Sequence, residues 1–109
     1  MTLARLKAAL EEATGAPFAA YAWQQTPDED AWGIVTVDGE AAAVWADDHQ
    51  QLQAHRGHVS LFTRVMDEMP GLVQQALDSL EISWNLEAAD YETDTRLLHY
   101  TWGWRDWEG

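Results

Sequence analysis

Trp32-Gly33-Ile34-Val35-Thr36-Val37-Asp38-Gly39-Glu40-Ala41-Ala42-Ala43-Val44-Trp45 is the stretch whose reading decides the fold. Ile34, Val35, Thr36 and Val37 are β-branched, so residues 32–37 are expected to form a strand. Asp38-Gly39 is a strong hairpin signal, because Gly accepts the positive φ of a tight turn. Residues 40–45 then become the returning strand. Moving toward the N-terminus, Thr26-Pro27-Asp28-Glu29-Asp30 reads as a loop: Pro bars a ladder and the carboxylates seek water. Phe18, Tyr21 and Trp23 favour a strand over 17–24. Before it, Leu3, Leu6, Leu10 and Ala13 recur at spacings of three and four, which predicts an amphipathic helix over 3–14. Thr2 suits its N-cap, and Gly15 with Pro17 its stop.

Moving toward the C-terminus, residues 46–53 are polar and ambiguous, and 57–63 reads as a strand. Pro70 opens a second helix over 70–79 at a position where its missing N–H costs nothing. Asp67 and Glu68 suit the positive end of that helix, and Leu72, Val73, Ala76, Leu77 and Leu80 form its apolar face. Ile82, Trp84 and Leu86 alternate with Ser83, Asn85 and Glu87, so 81–87 is a strand. Tyr91 to Thr95 reads as a polar turn. Residues 96–104 form the last strand, with Leu98, Tyr100, Trp102 and Trp104 on one face, and 105–109 is a short tail. The expected fold is α+β: a single domain over 1–109 with a mostly antiparallel sheet of five to six strands and two helices packed on one face.

The chain has 109 residues, 19 acidic and 6 basic, for a formal net charge of −13. That length fits one domain with its own core. The charge argues against a nucleic-acid binder, whose affinity rests on Lys and Arg against phosphates. Zero Cys excludes disulfide scaffolds, thiolate zinc sites and a Cys nucleophile. No apolar run reaches the length of a membrane helix, and the first residues lack the apolar core of a secretory signal. Between Lys7 and Arg56 there is no Lys or Arg, while nine acids fall there, among them Asp28, Glu29, Asp30, Asp38, Asp47 and Asp48.

Nothing in the sequence assembles a catalytic, cofactor-binding or metal-ligating set. His55 and His58 are three apart with Asp47 and Asp48 nearby, but in a strand that spacing points two side chains to opposite faces. Ser60, Ser79 and Ser83 have no partner pattern, and there is no Gly-rich phosphate loop or nucleophile elbow. The chain is therefore expected to be a non-enzyme without cofactor. Its seven Trp are the unusual feature. Trp32, Trp45, Trp84 and Trp102 fit within strands. Trp23, Trp104 and Trp107 lie at strand ends or in the tail, where a partner would cover them. With the acids Asp28, Asp30, Asp47 and Asp48 they form the candidate assembly contacts.

An ordered series of features resembles the small tail terminator (tail completion) proteins of long-tailed bacteriophages and prophages. It comprises the Leu3-Leu6-Leu10 helix with Gly15-Ala16-Pro17, Ala46-Asp47-Asp48, and Val59-Ser60-Leu61-Phe62-Thr63. A helix ending in Ala76-Leu77 follows, then Ile82-Ser83-Trp84, Tyr91-Glu92-Thr93-Asp94 and Leu97-Leu98-His99-Tyr100. The Trp-rich ending from 102 to 107 departs from the family pattern. The resemblance implies a structural virion protein at the tail–neck region, assembled in the host cytoplasm. Its partners would be further copies of itself in a ring, commonly hexameric, the tail tube protein and a neck or connector protein. Such a ring ends tube polymerisation without cofactor, membrane or specific nucleic-acid binding. Six copies would carry about −78 formal charges before counterion screening, and DNA passing the lumen would meet a like-charged wall. Two other readings stay open: another neck component, or an acidic DNA mimic that inhibits a nucleic-acid-binding protein.

Overall fold

The computed structural model describes residues 3–23, 28–46, 49–64, 68–94 and 96–108, with the backbone alone over 39–46, 49–55 and 106–108. The order is α1 (Leu3–Thr14), β1 (Phe18–Ala20), β2 (Ala31–Ala46), β3 (His49–Thr63), α2 (Met69–Ser79), β4 (Ser83–Glu92) and β5 (Leu97–Glu108). The fold is α+β, one five-stranded mixed sheet in the order β1-β2-β3-β5-β4 with two helices. β1 runs parallel to β2; the other pairs are antiparallel.

α1 occupies the residues its Leu spacing predicts, with Leu6 and Leu10 fully buried. The Thr14 hydroxyl donates to the Leu10 carbonyl (2.7 Å) and accepts from the Ala16 N–H (3.1 Å), and Gly15 follows at φ +71°. These three features end the helix. α2 starts one residue before Pro70 and buries Val73, Ala76 and Leu77. Both helices cover the same sheet face. Their apolar stripes meet Phe18, Val35, Val59, Leu61, Trp102 and Trp104 in one core. Phe18 lies against Gly33, where no side chain intervenes.

The strands differ from the sequence expectation in one main respect. Asp38-Gly39 is not a hairpin turn. β2 runs through it, and the register shift between Val37 and Gly39 makes Asp38 the extra residue of a β-bulge. Asp and Gly serve a bulge as well as a turn, since both relieve the ladder locally. The expected strands 32–37 and 40–45 are therefore one, which reduces six strands to five. The ladder carries on until Ala46 pairs with His49, so the polar stretch before 57 belongs to β3. Asp47 and Asp48, between these strands, lie outside the described residues.

β1 is shorter than expected. Tyr21, at φ +70°, turns the chain off the edge. Three groups then continue along β2 in place of a strand. The Tyr21 N–H donates to the Val35 carbonyl (2.9 Å), its hydroxyl to the Val37 carbonyl (3.2 Å), and the Trp23 indole to the Gly33 carbonyl (3.0 Å). β4 and β5 are longer than expected: Tyr91-Glu92 and residues 105–108 are both in the ladder.

Past Val37, β2 has only β3 beside it among the described residues, and past Gln53 no β5 residue pairs with β3. The sheet thus narrows to β2, β3 and β5 past Val37, and to a two-stranded ribbon only at its tip, residues 44–46 against 49–52. The molecule measures 54 × 24 × 22 Å, with a radius of gyration of 15.1 Å. A compact domain of this length would have about 13 Å. Among the described residues no helix is long and apolar enough to cross a membrane.

Candidate functional site

The sheet face away from the helices is assembled from alternate residues of four strands. Register places Trp32, Phe62 and His99 side by side on β2, β3 and β5. Their rings stack, with centroids 5.8 Å apart for Trp32–Phe62 and 4.2 Å for Phe62–His99. The Arg64 guanidinium lies over Trp32, 5.2 Å from its centroid, and its Nη1 donates to the Glu29 carbonyl (2.7 Å). The Arg64 N–H donates to the Asp30 carbonyl (2.8 Å). Arg64 therefore pins the acidic segment Asp28–Asp30 to this end of the sheet while the three side chains stay exposed.

Further along the same face is an open groove of about 670 Å³, lined by Asp38, Arg56, His58, Ser83, Asn85, Glu87 and Arg105 among others. His58 is its centre. The bulge brings Asp38 alongside it, and Asp38 Oδ2 meets His58 Nδ1. Thr36 holds Asp38 in place: its hydroxyl donates to Asp38 Oδ1 (2.9 Å) and accepts from the His58 N–H (3.1 Å). On the other side, Glu87 Oε1 lies 3.1 Å from His58 Nε2.

Glu87 belongs to β4, two strands from β3, and it reaches His58 by crossing β5 at Gly103, the residue opposite His58. A Cβ there would stand 3.0 Å from the Glu87 carboxyl carbon, closer still to one of its oxygens, and 3.3 Å from Asn85 Oδ1. Gly103 is thus the gap through which the carboxylate passes. A neutral imidazole has one N–H and can donate to one of these carboxylates; the doubly protonated ring donates to both. Both ring nitrogens face carboxylates, so the three groups do not converge on one point as metal ligands must. Among the described residues no group of three or more His, Asp or Glu does so.

Arg56 and Arg105 stand directly opposite each other across β3 and β5 at one end of the groove, both exposed. Their charges repel at that spacing.

Of the contacts expected from sequence, Asp28 and Asp30 are exposed at the pinned segment, and Trp23 is half-buried on the β2 edge. Trp104 is 3% exposed and belongs to the core. Its strand continues past it, so it is not at a strand end. Trp107 pairs through its backbone with Ala54; its side chain, like Asp47 and Asp48, lies outside the described residues. The groove residues Asp38, His58, Glu87, Arg56 and Arg105 were not singled out as a set. The usable signal was period two in 56–58–60–62 and 99–101–103–105, with Gly103 marking a close approach inside a strand.

Comparison with protein-family models gives no match, and comparison with curated proteins gives none either.

Proposed function

We propose that this chain is a structural ring subunit of the tail-terminator type, a virion component that caps the head-proximal end of a tail tube, stops its polymerisation and meets the neck. The observation that carries this reading is the extension of β2 and β3 beyond the helix-covered sheet, flanked by β5 as far as Gln53 and a two-stranded ribbon at its tip. A two-stranded ribbon is marginally stable in water by itself, and an arm of this kind gains most when a neighbouring subunit covers it. The outer edges of β4 and of β2 past Val37 support the same reading. Each presents unpaired backbone groups among the described residues, and an open edge is a template for another chain. The two edges differ, so a contact between them is head-to-tail, the type that closes into rings. The formal charge of −13 per copy suits a channel that DNA passes without sticking.

The test is the mass of the purified protein, alone and with tail tube protein, by light scattering after size exclusion, together with tube lengths by electron microscopy. A ring alone or on tubes, with tube growth arrested, is expected. A monomer that leaves tube length unregulated refutes the reading.

A further inference from the structure

We propose that the Arg56–Arg105 pair receives the acidic segment Asp28–Asp30 of a second copy of this chain, and that this contact sets the head-to-tail register between neighbours; the inference rests on the ring reading above.

The first ground is the state of the two arginines. The chain has only six Lys and Arg against 19 acids. Lys7 is bridged to Glu11 at 3.0 Å. Arg64 holds the Glu29 carbonyl and covers Trp32, and Arg5 has a partner. Arg96 lies exposed just before β5 and does not line the groove, whereas Arg56 and Arg105 are forced together by register, both exposed and without an ionic partner among the described residues. The carboxylates sharing their groove, Asp38 and Glu87, are held by His58. A like-charged cross-strand pair costs stability, and in so acidic a chain an acidic partner nearby would relieve it.

The second ground is the complement. Asp28, Glu29 and Asp30 are exposed consecutive acids whose backbone is fixed by the two Arg64 hydrogen bonds of 2.7 and 2.8 Å. A segment already held in place loses little freedom on docking. Two arginines on directly opposed positions, with Cβ atoms about 5 Å apart, suit two neighbouring carboxylates, each able to take a paired hydrogen bond.

The third ground excludes contact within one copy. Asp30 enters β2 at Ala31, whereas Arg56 pairs with Gly39. Nine residues of strand separate them, about 30 Å at the usual rise, beyond the reach of the two side chains. The patches can meet only between copies. Being different patches, they make a head-to-tail contact, which closes into a ring or extends as a filament.

The experiment uses the full chain in three forms: wild type, Arg56→Glu/Arg105→Glu, and Asp28→Lys/Glu29→Lys/Asp30→Lys. Circular dichroism confirms that each is folded, and sedimentation velocity measures assembly. Each variant alone is expected to raise the dissociation constant of the copy–copy contact by about 10- to 100-fold. An equimolar mixture of the two is expected to assemble again, because every contact then joins opposite charges, and the two variants alternate around the assembly. If wild type assembles and the arginine variant assembles equally well, or if the mixture fails to recover, this inference is overturned and the ring reading stands. If wild type stays monomeric with and without tube protein, both fall.

Discussion

Gly57→Ala should destabilise the protein well beyond what one methyl group suggests. Gly57 lies on the helix-facing side of β3, opposite Val37 on β2 and Trp104 on β5. A Cβ there would stand 2.8 Å from the Trp104 ring and 2.9 Å from the Thr36 carbonyl carbon, closer still to its oxygen. Trp104 is 3% exposed and has little room to move. The carbonyl is backbone at the edge of the Asp38 bulge, so accommodating the methyl means parting β2 from β3. Overpacking of this kind costs about 1–3 kcal/mol. Replacing Gly with Ala inside a strand returns about 0.5–1 kcal/mol of backbone entropy. Because a backbone atom must move, the upper part of the overpacking range applies, about 2–3 kcal/mol, so the net loss is about 1–2.5 kcal/mol, or a Tm lower by about 4–20 °C for a domain of this size. Thermal and urea unfolding followed by tryptophan fluorescence measure it. A Tm at or above that of wild type would refute the argument, because the close approach would then be no constraint.

Gly71→Ala, at an exposed position in the first turn of α2 with nothing within 4 Å of the added atom, should stabilise by about 0.4–1 kcal/mol in the same unfolding assay. Leu10→Ala removes a fully buried side chain between α1 and the sheet and should cost about 2–5 kcal/mol of unfolding free energy. Gly103→Ala should leave stability within about 0.5 kcal/mol of wild type, since the strand gain offsets the loss of the half-exposed His58–Glu87 hydrogen bond. It should nonetheless displace Glu87 and move the His58 imidazole signals in NMR; unmoved signals would show that Glu87 does not depend on the gap. Arg64→Ala should cost about 1–2 kcal/mol by removing a charged hydrogen bond and its cover over Trp32. It should also speed amide hydrogen exchange in peptides spanning Asp28–Asp30.

Helix α1, helix α2 and the shared face of Trp102 and Trp104 on β5 were legible because their signals are local and periodic. Leu6 and Leu10 repeat at helical spacing, Pro70 marks the start of α2, and Trp102 and Trp104 alternate with Thr101 and Gly103. The run through Asp38-Gly39 was not legible, because a bulge and a tight turn use the same residues. Register with β3 decides between them, and register is a property of two strands. The groove was invisible for the same reason. Asp38, His58 and Glu87 come from three strands separated by 20 and 29 residues, and only the strand order brings them together. The Trp104 reading depended on where its strand ends, and strand ends are the least certain part of any sequence reading.

Gly57 and Gly103 show how the two faces of one ladder depend on each other. They occupy neighbouring register pairs of β3 and β5, Gly57 opposite Trp104 and Gly103 opposite His58, and they look to opposite faces. On the helix side, the bare Cα of Gly57 lets the Trp104 indole pack close against β3 in the core. On the open side, the bare Cα of Gly103 lets the Glu87 carboxylate cross to His58. The Thr36 carbonyl that crowds Gly57 belongs to the residue whose hydroxyl links Asp38 to the His58 backbone. A displacement of β2 that relieves the core therefore pulls on the groove, and packing transmits such shifts because interiors have little slack. The packing of the helix-facing side thus bears on where Arg56, His58 and Arg105 stand on the open face. That gives a physical reason for so small a domain to carry two bare positions side by side in its central strands.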